Sequence, residues 1–387
     1  MVQDKKNNKQ KIHLFAWALI ICNALFCFCD SPTMGIRFYL PIFVPVLFLG
    51  IISIFNNKMK LALEHLTCGV LFLITLFHLQ NSLESFGEKN AALFSETILI
   101  IFFFIFSMFR YNLRELKYII NSLIIAGTGF SILLFLFSFH LGLGHYTIRP
   151  FNGYYQYIDP NYLSSFMVIP CIILMKRAIF TNRNISAYIL FFVNIIAVLL
   201  TGSRAAMLSL LIALVIMLAV NKNLKVLFTL IIISILTAII AVIFLDSNII
   251  ERLFVKSYLD RSNEYRIEFW LSHILYTVEH SPIIGFGLTQ ITDNIWINLS
   301  SHSTFIAFFS SFGLLGFSFI IALFVHIWIC LFSKDSILFL SLFISFIFVN
   351  QMIPADISYS FWGILLVFVI ITNFKKDNPQ ISLWKEL

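Results

Sequence analysis

An all-α, polytopic integral membrane protein with about twelve transmembrane helices is the fold class this sequence predicts, on three observations. Apolar residues make up 60% of the 387 and charged ones only 12%, roughly half the charged share of an average soluble domain. Phenylalanine alone, at 45, outnumbers lysine and arginine together, at 26. The apolar residues gather into runs bounded by polar clusters, and roughly 20 such residues are what a helix needs to cross the hydrocarbon core. With a mean hydropathy of +0.93, a soluble globule is excluded.

Taken in order, the runs place helices at 12–29, 36–55, 61–80, 92–109, 118–139, 162–175, 185–201, 205–220, 226–245, 312–332, 337–353 and 361–374. Lys5, Lys6, Lys9 and Lys11 precede the first. No small-x-small cleavage site follows it, and Phe28 stands before Cys29 where a lipoprotein signal wants a small residue, so it reads as an uncleaved span. With that N-terminus inside, the inner connections and both tails hold 18 of the 26 Lys and Arg, including Lys58, Lys60, Arg110, Arg114, Lys117, Lys176, Arg177 and Arg183. Lys and Arg stay on the cytoplasmic side, so both termini are expected in the cytoplasm of an inner-membrane-type (plasma-membrane) protein.

Two outer connections are long. One is 140–161. The other, 246–311 between spans nine and ten, is the segment large enough for a periplasmic loop subdomain within a single membrane domain of residues 1–387. Within it Ile267, Trp270, Leu271, Ile274, Leu275 and Val278 follow helical spacing, which predicts an interfacial amphipathic helix limited by Pro282. Any chemistry is therefore expected on the periplasmic face. No six-plus-six repeat is present to support a repeat-built transporter.

The net charge of +7 is spread as punctuation between spans and not massed on one face, which argues against nucleic acid as a partner. Cys22, Cys27, Cys29, Cys68, Cys171 and Cys330 all fall inside apolar segments without ligand spacing and read as small buried hydrophobes. No metal and no cofactor is expected, since the outer loops hold no Asp-x-Asp and no clustered carboxylates.

Arginine beside hydrocarbon is costly unless paired or wetted. Arg204, in Thr201-Gly202-Ser203-Arg204-Ala205-Ala206 between two apolar runs, is either a snorkelling anchor or an anion site, and a planar guanidinium suits a diphosphate. Arg266 lies one turn before Trp270 and reads either as a surface pair with Glu264 or Glu268 or as a second anion contact. His302 opens the run into the tenth span and is either a cap or a proton acceptor for a hydroxyl nucleophile, with His273 and His280 as weaker alternatives. In the 140–161 loop, Tyr154, Tyr155, Asp159 and Asn161 combine ring faces with polar groups as sugars require, or form an aromatic belt. Arg149 is a third candidate diphosphate contact.

Gly202-Ser203-Arg204-Ala205-Ala206, Arg266 to Trp270 with Pro282 to Gly287, and His302 with Gly313 to Gly316 together resemble the O-antigen polymerase and ligase superfamily, the Wzy-type polymerases and WaaL-type ligases. Asp159-Pro160-Asn161-Tyr162 resembles a stretch of its polymerase-like members. The resemblance implies a metal-independent, GT-C-like glycosyltransferase with an undecaprenyl-diphosphate-linked oligosaccharide as donor. It implies arginines at 204 and 266 on the diphosphate and, as in the ligases, His302 on the acceptor. A polymerase reading is favoured by Asp159-Pro160-Asn161 and by the short stretch from Gly287 to His302, an O-antigen ligase by His302 itself. A lipid-linked oligosaccharide flippase is the more distant alternative. A chain-length regulator and a flippase are the protein partners a polymerase would have.

Overall fold

The computed structural model describes residues 12–24, 45, 52, 62–82, 88–141, 147–148, 156–157, 160–181, 185–201, 203–221, 256–287, 303–333, 336–351 and 359–386. The expected spans 36–55, but for positions 45 and 52, and 226–245 lie outside these residues, as do Arg149, Tyr154, Tyr155, Asp159, Gly202 and His302. The described helices are α1 (Leu14–Ala24), α2 (Leu63–Ser82), α3 (Glu88–Ser107), α4 (Leu113–Leu141), α5 (Pro160–Met175), α6 (Ile185–Leu200), α7 (Arg204–Asn221), α8 (Lys256–His280), α9 (Thr304–Leu331), α10 (Ile337–Asn350), α11 (Tyr359–Asp377) and α12 (Leu383–Glu386). A π-helical turn, Lys176–Thr181, prolongs α5.

The all-helical expectation is modified by one two-rung antiparallel ladder in the 140–161 loop, β1 (Thr147–Ile148) with β2 (Gln156–Tyr157). Helix ends otherwise follow the apolar runs to within a turn or so, with one larger difference. The tenth span was expected from 312, whereas α9 begins at Thr304, two turns earlier, capped by Ser303, whose side chain accepts from the Ile306 N–H. Ser310, Ser311 and Gly313 resemble a loop boundary in sequence but lie inside the helix, at a break described below. Among the described residues, α9 is the one helix long and apolar enough to cross a membrane by that measure alone; α1, α6 and α10 are shorter apolar helices.

Every residue of α11 from Phe361 to Thr372 is buried, as suits a helix that is apolar on most sides and sits at the centre of a bundle. It packs on α3, α4, α9 and α10, and α10 in turn packs on α5 and α7. Phe361 and Phe346 stack at 5.3 Å, and Phe308 meets Trp362 edge-on at 5.8 Å, so rings fill the seam between α9, α10 and α11. Cys22, Cys68 and Cys171 are buried and, like the partly buried Cys330, form no disulfide, which fits their reading as small hydrophobes.

The ends of the bundle can be told apart. Glu64 at the start of α2 accepts from Asn373 near the end of α11 at 2.9 Å. Arg110, before α4, meets Asp377 at 3.2 Å, and Lys117 meets Glu386 at 2.9 Å. Glu115 accepts from the His13 N–H just before α1 and, in a capping box with Asn112, from the Asn112 N–H. The starts of α1, α2 and α4 and the end of α11 therefore share one end. From there α4 runs to the ladder at its far end, α5 returns, and α6 sets out again, so α7 starts at the opposite end.

Candidate active site

Arg204 heads α7. The preceding turn is built by hydroxyls: Thr201 Oγ1 donates to the Val198 carbonyl at 2.6 Å and accepts from the Ser203 N–H at 3.2 Å. Ser203 is fully buried and caps the helix, its Oγ accepting from the Ala206 N–H at 3.4 Å. A cation in a first turn faces the positive end of the helix dipole, so Arg204 gains nothing there from its own helix. A bound anion would reverse that sign, since the positive end of the helix and the guanidinium would then act on the same ligand. Arg204 is half-buried, at the rim of the bundle.

α8 is amphipathic in the inverted sense. Ile267, Leu271, Leu275 and Val278 are each more than half exposed, while His273 and Thr277 are buried against α9, and Arg266 and Trp270 are half-buried. The stripe expected in the interface thus points away from the protein, with Trp270 and Ile274 partly turned inward. His273 Nδ1 lies 3.3 Å from Ser310 Oγ, and that hydroxyl donates to the Ile306 carbonyl at 2.9 Å. Because its proton is used there, Ser310 Oγ accepts from His273, which places the imidazole proton on Nδ1 in this network.

After α8 the chain folds back through α9. Gly313 interrupts that helix at φ 62° and ψ −166°, and residues Pro282–Gly287 fill the break. The Leu314 and Leu315 N–H groups donate to the Pro282 and Ile283 carbonyls at 2.8 and 2.9 Å. Phe286 and Gly287 donate to the Ser310 and Ser311 carbonyls at 2.9 and 3.2 Å. Backbone groups freed by the break are thereby satisfied inside the protein. The glycines of Gly285-Phe286-Gly287 and Gly313 are thus explained by close backbone approach. A Cβ on Gly285 would stand 2.5 Å from the Ser310 oxygen. From α2, His78 packs on Gly287 and its Nε2 donates to the Ile284 carbonyl at 3.2 Å.

His78 lies 15 residues beyond Leu63 on α2, roughly 22 Å along the helix from the basic end of the bundle. The strap it touches is consequently at the far end, the end at which Arg204 heads α7. Of the residues singled out in the sequence, Arg204 is described at that rim and Arg266, Trp270, His273 and His280 on α8, the first two half-buried, His273 buried and His280 exposed. Asn161 lies in the first turn of α5, its side chain outside the description. His302 immediately precedes the Ser303 cap.

Residues 189–321 match the family model described as O-antigen ligase. The matched stretch carries Arg204, Arg266, the Pro282–Gly287 strap, His302 and Gly313, so the superfamily resemblance holds over α6 to α9. No curated protein matches the chain. The O-antigen ligase family match supports ligase- or polymerase-type function in general and a membrane location. Sequence reasoning had noted the strap glycines but missed His78 and Ser310. A histidine in an apolar run and a serine in a Ser-Ser-Phe-Gly stretch carry no signal of a partner more than twenty residues away.

Proposed function

We propose that the protein is a twelve-span inner-membrane glycosyltransferase that polymerises undecaprenyl-diphosphate-linked repeat units into O-antigen or a related surface polysaccharide. The observation that supports a transferase of this kind is the family match over the stretch that holds both arginines, and Asp159-Pro160-Asn161 with the short stretch from Gly287 to His302 favours polymerisation. Departure of the lipid diphosphate from the sugar builds negative charge on the leaving group, and Arg204 and Arg266 stabilise it as fixed cations without a metal. The acceptor hydroxyl attacks the anomeric carbon, the sugar–phosphate bond breaks, and His302 takes the hydroxyl proton. Arg149 adds a third contact to the diphosphate, and Tyr154, Tyr155, Asp159, Asn161 and Trp270 hold the saccharide on the periplasmic face. Transfer to lipid A-core is the second reading, favoured by the description of the matching family as a ligase.

Deleting the gene and resolving the surface glycan by size separates the two. Loss of a polymerase leaves core carrying a single repeat, whereas loss of a ligase leaves bare core and stranded lipid-linked polymer; repeats trapped on the cytoplasmic side would instead mean a flippase. Arg204→Ala and Arg266→Ala are each expected to lower transfer about a hundredfold at unchanged membrane abundance. Wild-type glycan length and amount in both variants would defeat the diphosphate assignment.

A further inference from the structure

We propose that His78, on α2 and outside the matched family stretch, is a positioning residue for the transfer site, clamping the Pro282–Gly287 strap into the break of α9. The inference rests on the transferase reading for its consequence, but its geometry stands apart from it.

The strap is the direct continuation of α8, which carries Arg266, and it enters α9 between a first half that follows His302 and a second half that runs into the bundle. The relative placement of these two elements is set by four backbone hydrogen bonds and the His273–Ser310 tie. All of these lie within α8, the strap and α9. His78 adds a contact from outside that set. Its ring lies flush on Gly287, where a Cβ would come within 2.9 Å of the imidazole Cγ, and Nε2–H holds the Ile284 carbonyl. With the ring 6% exposed, little water competes for that bond. α2 also packs along α9, so the imidazole references the strap to the fixed wall of the bundle. A buried imidazole has to keep a hydrogen-bond partner, and here that requirement stops the strap sliding in the break.

Three variants test the assignment in purified protein in lipid nanodiscs: His78→Leu, His78→Phe and His78→Gln, the last retaining an N–H donor at similar reach. Amide hydrogen exchange at Phe286 and Gly287 is read first, since it needs no substrate. Faster exchange in the Leu and Phe variants, with protection restored in the Gln variant, is expected. Unchanged exchange in the Leu and Phe variants overturns the clamp. With a polyprenyl-diphosphate-linked repeat unit as substrate, the Leu and Phe variants are expected to lose about ten- to a hundredfold in kcat with donor KM within about twofold. The Gln variant should recover most of kcat. A uniform loss of folded protein in all three, or a Gln variant as poor as Leu at equal abundance, overturns positioning in favour of a merely structural role. If wild type transfers nothing, the transferase reading fails and the catalytic consequence with it, while the exchange result still decides the clamp.

Discussion

Gly313 occupies φ 62° and ψ −166°, backbone that is essentially closed to side-chain-bearing residues, and a Cβ there would collide with the Ile283 carbonyl and the Gly285 nitrogen. Gly313→Ala is therefore expected to cost about 2–4 kcal/mol and to release the strap, seen as a lower melting temperature in detergent and lost activity together. Gly69 is the control. It lies in the helical stretch of α2 with nothing within 4 Å of its Cβ position, so Gly69→Ala should be neutral or stabilising by up to about 1 kcal/mol. A different residue-scale effect belongs to Lys176, fully buried in the π-helical turn beyond the sixth span. Burial, and then the neighbouring Arg177, lower its ammonium from 10.5 to about 8. Between those values the unfolded chain binds more protons than the native one, so stability rises with pH from 8 to 10.5, and the full cost is carried at pH 7 and below. The window spans on the order of 3 kcal/mol. Lys176→Met should flatten the rise of melting temperature across it; a slope equal to wild type would refute the assignment.

At the scale of elements, α4, α5 and α6 meet through a polar knot and a close approach. Asn194 on α6 donates to Thr128 Oγ1 at 3.1 Å and accepts from Ser131 at 3.2 Å, both on α4, while Gly127 lets Pro170 of α5 lie against the α4 backbone. Interhelical hydrogen bonds of this kind hold apolar helices where hydrophobicity gives no drive to associate. Asn194→Leu is expected to cost about 1–2 kcal/mol, measured as a shift in denaturation by detergent, with no change in donor KM. The helices themselves were legible because hydrocarbon selects for long apolar runs, and Arg204 was legible because a cation between two such runs stands out. What sequence pattern did not yield was direction. The stripe Ile267, Leu271, Leu275 and Val278 was visible, but that it faces outward while His273 and Thr277 face α9 depends on tertiary contacts. The start of α9 was misplaced for a related reason. Ser310, Ser311 and Gly313 are polar or small because they receive the strap, and a one-dimensional pattern reads such residues as a loop.

For the whole molecule, the contacts that gather the start of α1, the α3–α4 turn and the end of α11 give the charge asymmetry a spatial counterpart. Arg110, Lys117, Lys375 and Lys376 share that end, with Asp377 and Glu386 as partners of the first two. Lys375 also donates to the Pro379 and Ile381 carbonyls, tying down the chain beyond α11. Surface pairs of this kind add little stability, about 0–1 kcal/mol each, so their cations are better explained by the membrane than by the fold. Because cationic connections are usually retained in the cytoplasm, the proposed topology puts that end inside and Arg204, His78 and the strap outside. Reporter fusions make the assignment measurable. Fusions ending at Asn112 and at the C-terminus are expected to read cytoplasmic, and one ending at Gly287 periplasmic. A bulky, impermeant thiol reagent added to intact cells whose outer membrane has been made permeable should label a cysteine placed at Ile283, which is 65% exposed, and spare one placed at Asp377. Labelling of the second and not the first would invert the topology and carry both arginines to the wrong side for a donor presented in the periplasm.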